Sequence, residues 1–124
     1  MNTEVRERLF DKAEELGRLI SQTAEYAYLQ AANREIDGDR EATEKIARLR
    51  HLQDEVLEHL RQGKEPPEEV RSEYESLQGQ IQQSPRYQSL IASQANFDKL
   101  MEKVHRTIGK GIKKGEESRI ILPS

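Results

Sequence analysis

Residues 39–67 read DREATEKIARLRHLQDEVLEHLRQGKEPP, and this stretch decides the fold class. Ala42, Ile46, Leu49, Val56 and Leu60 recur at helical steps, with Leu52 and Leu57 flanking the same arc. Such a stripe marks a helix with one apolar face. Asp39 is suited to cap its start near Arg40, and Gly63 to end it. Pro66 and Pro67 cannot continue the helix, because each lacks an amide hydrogen and restricts the residue before it.

Upstream, Val5, Leu9, Ala13, Leu16 and Ile20 draw another stripe, with Thr3 as a possible cap. The stripe continues through Ala24, Ala27 and Ala31 to Ile36, while Ser21 and Thr23 offer a cap and a bend. One bent helix or two abutting helices fit equally. Asp37-Gly38-Asp39 supplies the next turn, with Gly38 expected in the left-handed exit. Downstream, Pro67 fits the first turn of a helix whose stripe is Val70, Tyr74, Leu77 and Ile81. Ser84-Pro85 restarts a long last helix through Tyr87, Leu90, Phe97, Met101, Val104 and Ile108, expected to fray beyond Gly109 and Gly111. Ile120-Ile121-Leu122 follows as a short apolar tail.

No segment alternates with period two, so the expected fold is all-α, four to five helices in an elongated bundle. One helical domain over residues 1–115 and a tail over 116–124 are expected. The chain has 124 residues, 34% of them hydrophobic and 35% charged, so its core must be thin. Thin helical layers complete themselves against another chain, which makes a homo-oligomer, dimer or higher, the expectation. A net charge of −3 gives no overall pull toward phosphate, so no direct nucleic-acid contact is expected. No stretch has the length and apolarity of a membrane span or a signal peptide, and a cytoplasmic location without membrane insertion is expected. Without cysteine there is no disulfide and no thiolate metal site, and no cofactor is expected.

His51, Glu55 and His59 stand at i, i+4 and i+8 and offer the one candidate for metal-dependent or acid–base chemistry. Their position opposite or beside the apolar arc favours a solvated face instead. His105 flanks the last stripe, where a histidine is expected to be packed or hydrogen-bonded. Seven basic residues against three acidic ones between Lys99 and Arg119 leave a local excess. Such an excess suits nucleic acid or an acidic protein, but complementing a helix C-terminus explains the lysines more simply. Gln53 and Gln94 fall within apolar arcs and need hydrogen-bonding partners, across helices or at a subunit surface. Tyr26 and Tyr28 cannot share a side, so one of them faces outward.

Taken in order, Asp11-Lys12-Ala13 with Leu16, Thr23 with Tyr26, Asp39-x-Glu41-Ala42, Leu52-Gln53, Gly63, Ser84-Pro85, Phe97 and Ile108-Gly109 carry a resemblance. Over about residues 11 to 112 the sequence resembles the YlbF/YmcA group of small helical bacterial regulators. It departs at Leu29, where that group often has a second aromatic residue, and at Thr23, where it favours serine. The resemblance implies a helical protein that self-associates or joins sister proteins. It further implies a non-catalytic role, as an adaptor that modulates ribonuclease Y and messenger RNA maturation in competence, sporulation and biofilm formation. Iron–sulfur clusters held by cysteines in some members do not transfer to a chain without cysteine. Thr23, Tyr26, Ala27, Tyr28, Ala31, Asp39 and Gln53 are the expected interaction residues: small alanines admit a neighbouring helix, and a tyrosine anchors its rim.

Overall fold

The computed structural model describes the backbone of residues 2–121 and the side chains of residues 2–118. Five helices follow in order: α1 (Asn2–Ser21), α2 (Ala24–Asp37), α3 (Arg40–Arg61), α4 (Glu68–Gln82) and α5 (Pro85–Ile121). No strand occurs among the described residues.

The breaks between helices follow from local chemistry. Ser21 Oγ donates to the Arg18 carbonyl at 2.6 Å and Thr23 Oγ1 to that of Ile20 at 2.7 Å, and Thr23 Oγ1 also accepts the Tyr26 amide at 3.2 Å. These bonds close α1 and cap α2, so two abutting helices are formed here. Asp39 caps α3 by accepting the Ala42 amide at 3.1 Å. At the other end of α3, Gly63 alone among the described residues has a positive φ, 71°. Its amide bonds the Leu60 carbonyl at 3.1 Å, and the Lys64 amide bonds that of His59 at 2.9 Å. This doubled closure is the Schellman pattern, and it uses the left-handed residue that glycine supplies without strain. Ser84 Oγ and Pro85 open α5.

Four local expectations change. α1 is already helical at Asn2, which puts Thr3 in the first turn and not before it. Gly38 does not adopt the left-handed conformation; its amide simply continues the helical bonding to the Arg34 carbonyl at 3.0 Å. Pro67, with ψ at 147°, is the residue before α4 and not its first turn. α5 runs unbroken through Gly109, Gly111 and Gly115 to Ile121. Each glycine costs a helix about 1 kcal/mol, and the lysines, glutamates and isoleucines around them are far better formers. The side chains of Ile120, Ile121 and Leu122 lie outside the described residues.

Two compact units result: residues 28–92 form one, and residues 1–27 with 93–124 form the other. In the first, α3 and α4 pack closely. The Ala42–Ile46 stretch lies beside Gln80–Ser84, and Gln53 meets Tyr74, so the two helices run antiparallel. The buried residues are Leu29, Ala32 and Ile36 of α2, Leu52 of α3 and Ile81 of α4. Two phases of the pattern thus differ from expectation. On α2 the buried face is Leu29, Ala32 and Ile36, and Ala24, Ala27 and Ala31 face outward. On α3 Leu52 is the centre of the arc, 0% exposed, while Leu60 is 58% exposed.

Ion pairs brace this unit from outside. Arg48 donates to both carboxylate oxygens of Glu73, at 2.7 and 2.9 Å, and Arg86 donates to Asp39 at 3.0 Å. The Ala42 amide, joined by Arg86, holds Asp39 below its ordinary pKa of 3.8, and the hydrogen bond from Arg48 holds Glu73 below 4.5. A carboxylate with a lowered folded-state pKa contributes stability that is complete above its unfolded value and disappears as pH falls through the folded one. The urea midpoint is therefore expected to decline below about pH 4.5, and Glu73→Gln to flatten part of that decline. An acid limb identical in the variant and the parent would contradict the assignment.

Candidate functional site

The second unit is built differently. α1 has twenty residues and an apolar stripe, yet none of its residues is buried. Leu16 and Ile20 are half-buried, whereas Val5 and Leu9 are 64% and 59% exposed. On the α5 side, Phe97, Leu100, Met101 and Val104 are half-buried, and Ile108 and Ile112 are exposed.

Tyr26 and Phe97 meet with ring centroids 5.8 Å apart and planes inclined at 58°, an edge-on aromatic contact. Leu16 lies one helix earlier, and with Leu100, Lys103, Val104, Thr107 and Ile108 it lines an open groove of about 380 Å³. Leu16 is on α1, and the other lining residues are on α5. Their apolar stripes share this groove without burying each other. Most of an amphipathic helix's stability in a protein comes from packing its apolar face. The stripe running from Ile20 and Leu16 to Leu9 and Val5, with Ile108 and Ile112, is thus a surface that lacks its cover.

Elsewhere, an open, shallow hollow of about 840 Å³ lies along α4, lined mainly by polar residues from Glu68 to Gln80. A hollow of about 190 Å³ beside Asp39 and Tyr87 falls below the size usual for small-molecule sites. His51 Nε2 lies 3.0 Å from Glu55, and His59 Nδ1 lies 2.8 Å from the Glu55 carbonyl oxygen. Both rings thus interact within their own helix, and no group of three or more His, Asp or Glu among the described residues is placed to hold a metal. His105 is exposed, not packed.

The expected interaction residues separate into three kinds. Thr23 and Asp39 are helix caps, and Tyr26 is half-buried against Phe97. Ala27, Tyr28 and Ala31 form an exposed stripe on α2, with Tyr28 69% exposed. Gln53 is exposed and donates to the Tyr74 hydroxyl at 3.5 Å, so it lies outside the buried arc; Gln94 is likewise exposed and donates to Asp98 at 2.9 Å. The open apolar stripe on α1 and α5 is legible in the sequence as a pattern. Nothing in a periodic stripe says whether its cover belongs to the same chain.

The model of a family described as control of competence regulator ComK, YlbF/YmcA, matches residues 9–113. The chain belongs to the YlbF/YmcA family. A UPF0342 protein of Lactobacillus acidophilus is 24% identical over 104 residues, covering 84% of this chain and 90% of that protein. A UPF0342 protein of Symbiobacterium thermophilum is 27% identical over 104 residues, with 84% and 93% covered. In fold, the chain is similar to Bacillus subtilis RicA, whose crystal structure is a complex with RicF. The TM-score is 0.74 and the identity 16%, over 87% of this chain and 96% of that one. This likeness establishes the shared fold, a helical one in a YlbF/YmcA-family chain. No helix among the described residues is long and apolar enough to cross a membrane.

Proposed function

We propose that this chain is a non-catalytic regulatory adaptor of the cytoplasm that works by pairing the open stripe of α1 and α5 with a second helical chain, a copy of itself or a sister from its family. The observation that carries the reading is α1, an amphipathic helix with no buried residue. Covering Val5, Leu9, Ile108 and Ile112 would contribute roughly 1.5–3 kcal/mol for each side chain fully buried, enough to set against the cost of association. RicA, a chain of the same fold, is found in complex with RicF, which supports a protein partner for this chain. Residues 1–115 act as one helical domain in this reading, since α2 and α5 each run unbroken from one unit into the other. By family resemblance, the process served is messenger RNA maturation by ribonuclease Y.

Light scattering on the purified chain at micromolar concentration tests the assembly. A mass of a dimer or more is expected, and 14.4 kDa with full helicity would overturn self-association. Mapping transcript ends in cells lacking the chain tests the process separately. Unchanged ends would remove the ribonuclease connection and leave the assembly standing.

A further inference from the structure

Lys99, Lys103, Arg106, Lys110, Lys113 and Lys114 follow one another along α5 at steps of four, three, four, three and one. At 100° per residue they fall within an arc of about 100° and extend about 22 Å along the helix axis. The centre of the Leu100, Val104, Ile108 and Ile112 stripe lies roughly 150° away around the same helix. All six basic side chains are exposed. Among the described residues only Arg106 has an acidic partner, Glu102, at 4.0 Å.

A basic excess at a helix C-terminus needs no ligand, because the dipole already favours it, but that effect is confined to the last turn. α5 continues to Ile121, which puts Lys99 about six turns from its end and Lys110 about three. The dipole therefore does not account for the stripe. Covering the apolar face accounts for little of it: Lys103 lines the groove beside Leu16 and Val104, but the centre of the stripe lies well away around the helix from the apolar face.

We infer that this stripe docks the phosphate backbone of double-stranded nucleic acid, bound without regard to sequence. A duplex offers one charge per about 1.7 Å of axis, a continuous line of negative charge that matches a line of positive charge in which Arg106 alone is paired among the described residues. The acidic face of α1 in another copy, Glu4, Glu7, Asp11, Glu14 and Glu15, is the nearest rival. It is already part-neutralised: Arg18 falls in its arc and Lys12 pairs with Glu15 at 3.5 Å. No aromatic residue follows Phe97, so the stripe has no platform on which unpaired bases could stack. The same lack, with Gly111 and Gly115 interrupting the apolar face, makes a poor membrane-surface helix.

The test is fluorescence anisotropy of a labelled DNA duplex of roughly 20 base pairs, longer than the stripe at about 3.4 Å per pair, titrated with the full chain from about 50 to about 200 mM salt. A single strand of equal length and phosphatidylserine vesicles are the parallel arms. The expected result is micromolar duplex binding that weakens steeply with salt. K110E/K113E/K114E should reduce affinity at least about tenfold and lessen the log–log salt slope by about 3, at roughly 0.9 per contact. R50E/R61E/K64E, the same charge change on α3 and the loop after it, should lose much less. Circular dichroism confirms that both variants are folded. Absence of duplex binding, equal losses in the two variants, or preference for the single strand or the vesicles would overturn the inference. So would an altered assembly mass in K110E/K113E/K114E with duplex affinity unchanged, which would assign the stripe to protein docking.

Discussion

Leu9→Glu and Ile108→Glu, made singly, are expected to convert the assembled protein into monomers at micromolar concentration. Each position is open in the single chain, 59% and 45% exposed, so a carboxylate there touches water and costs the isolated fold little. In a symmetric pair each substitution is felt twice. Losing about 2 kcal/mol of apolar burial per copy gives about 4 kcal/mol per pair, close to a thousandfold in dissociation constant. α1 should lose helicity once its cover leaves, while residues 28–92 keep theirs. Leu57→Glu is the control, because Leu57 is 52% exposed but belongs to α3 in the other unit. Dissociation by Leu57→Glu with Leu9→Glu still assembled would move the interface to α3.

Leu52→Ala has the largest expected effect on folding. Leu52 is 0% exposed, the one side chain among the described residues shut off completely from solvent. Removing its branched end forfeits transfer energy and leaves a cavity, about 3 kcal/mol for a leucine that its neighbours cannot replace. In urea the midpoint should fall by roughly 2 M at unchanged slope. Leu57→Ala, five residues along the same helix and half in water, should cost less than about 0.5 kcal/mol. The comparison holds residue type and helix constant and varies only burial. Equal costs at the two positions would contradict the packing described for α3 and α4.

The sequence by itself located the breaks between helices, though not every end: α1 starts before Thr3, α4 after Pro67, and α5 runs past its glycines to Ile121. Thr23, Asp39, Gly63 and Ser84 set helix ends through capping hydrogen bonds that reach no more than five residues along the chain, and such bonds are written into local order. The all-α class and the family were legible for the same reason, since period and punctuation are local properties. Only the tertiary structure decided which turn of each stripe is buried. Ala27 and Ala31 fit the period on α2 as well as Leu29 and Ala32 do, and Leu60 fits on α3 as well as Leu52 does. The choice depends on what packs opposite, on α3 the antiparallel α4, and no residue encodes its distant neighbour alone. The same holds for function. An apolar stripe on α1 looks identical in sequence whether its own chain or another covers it, and the basic face of α5 could be separated from a helix terminus only once the helix was seen to pass through three glycines to Ile121.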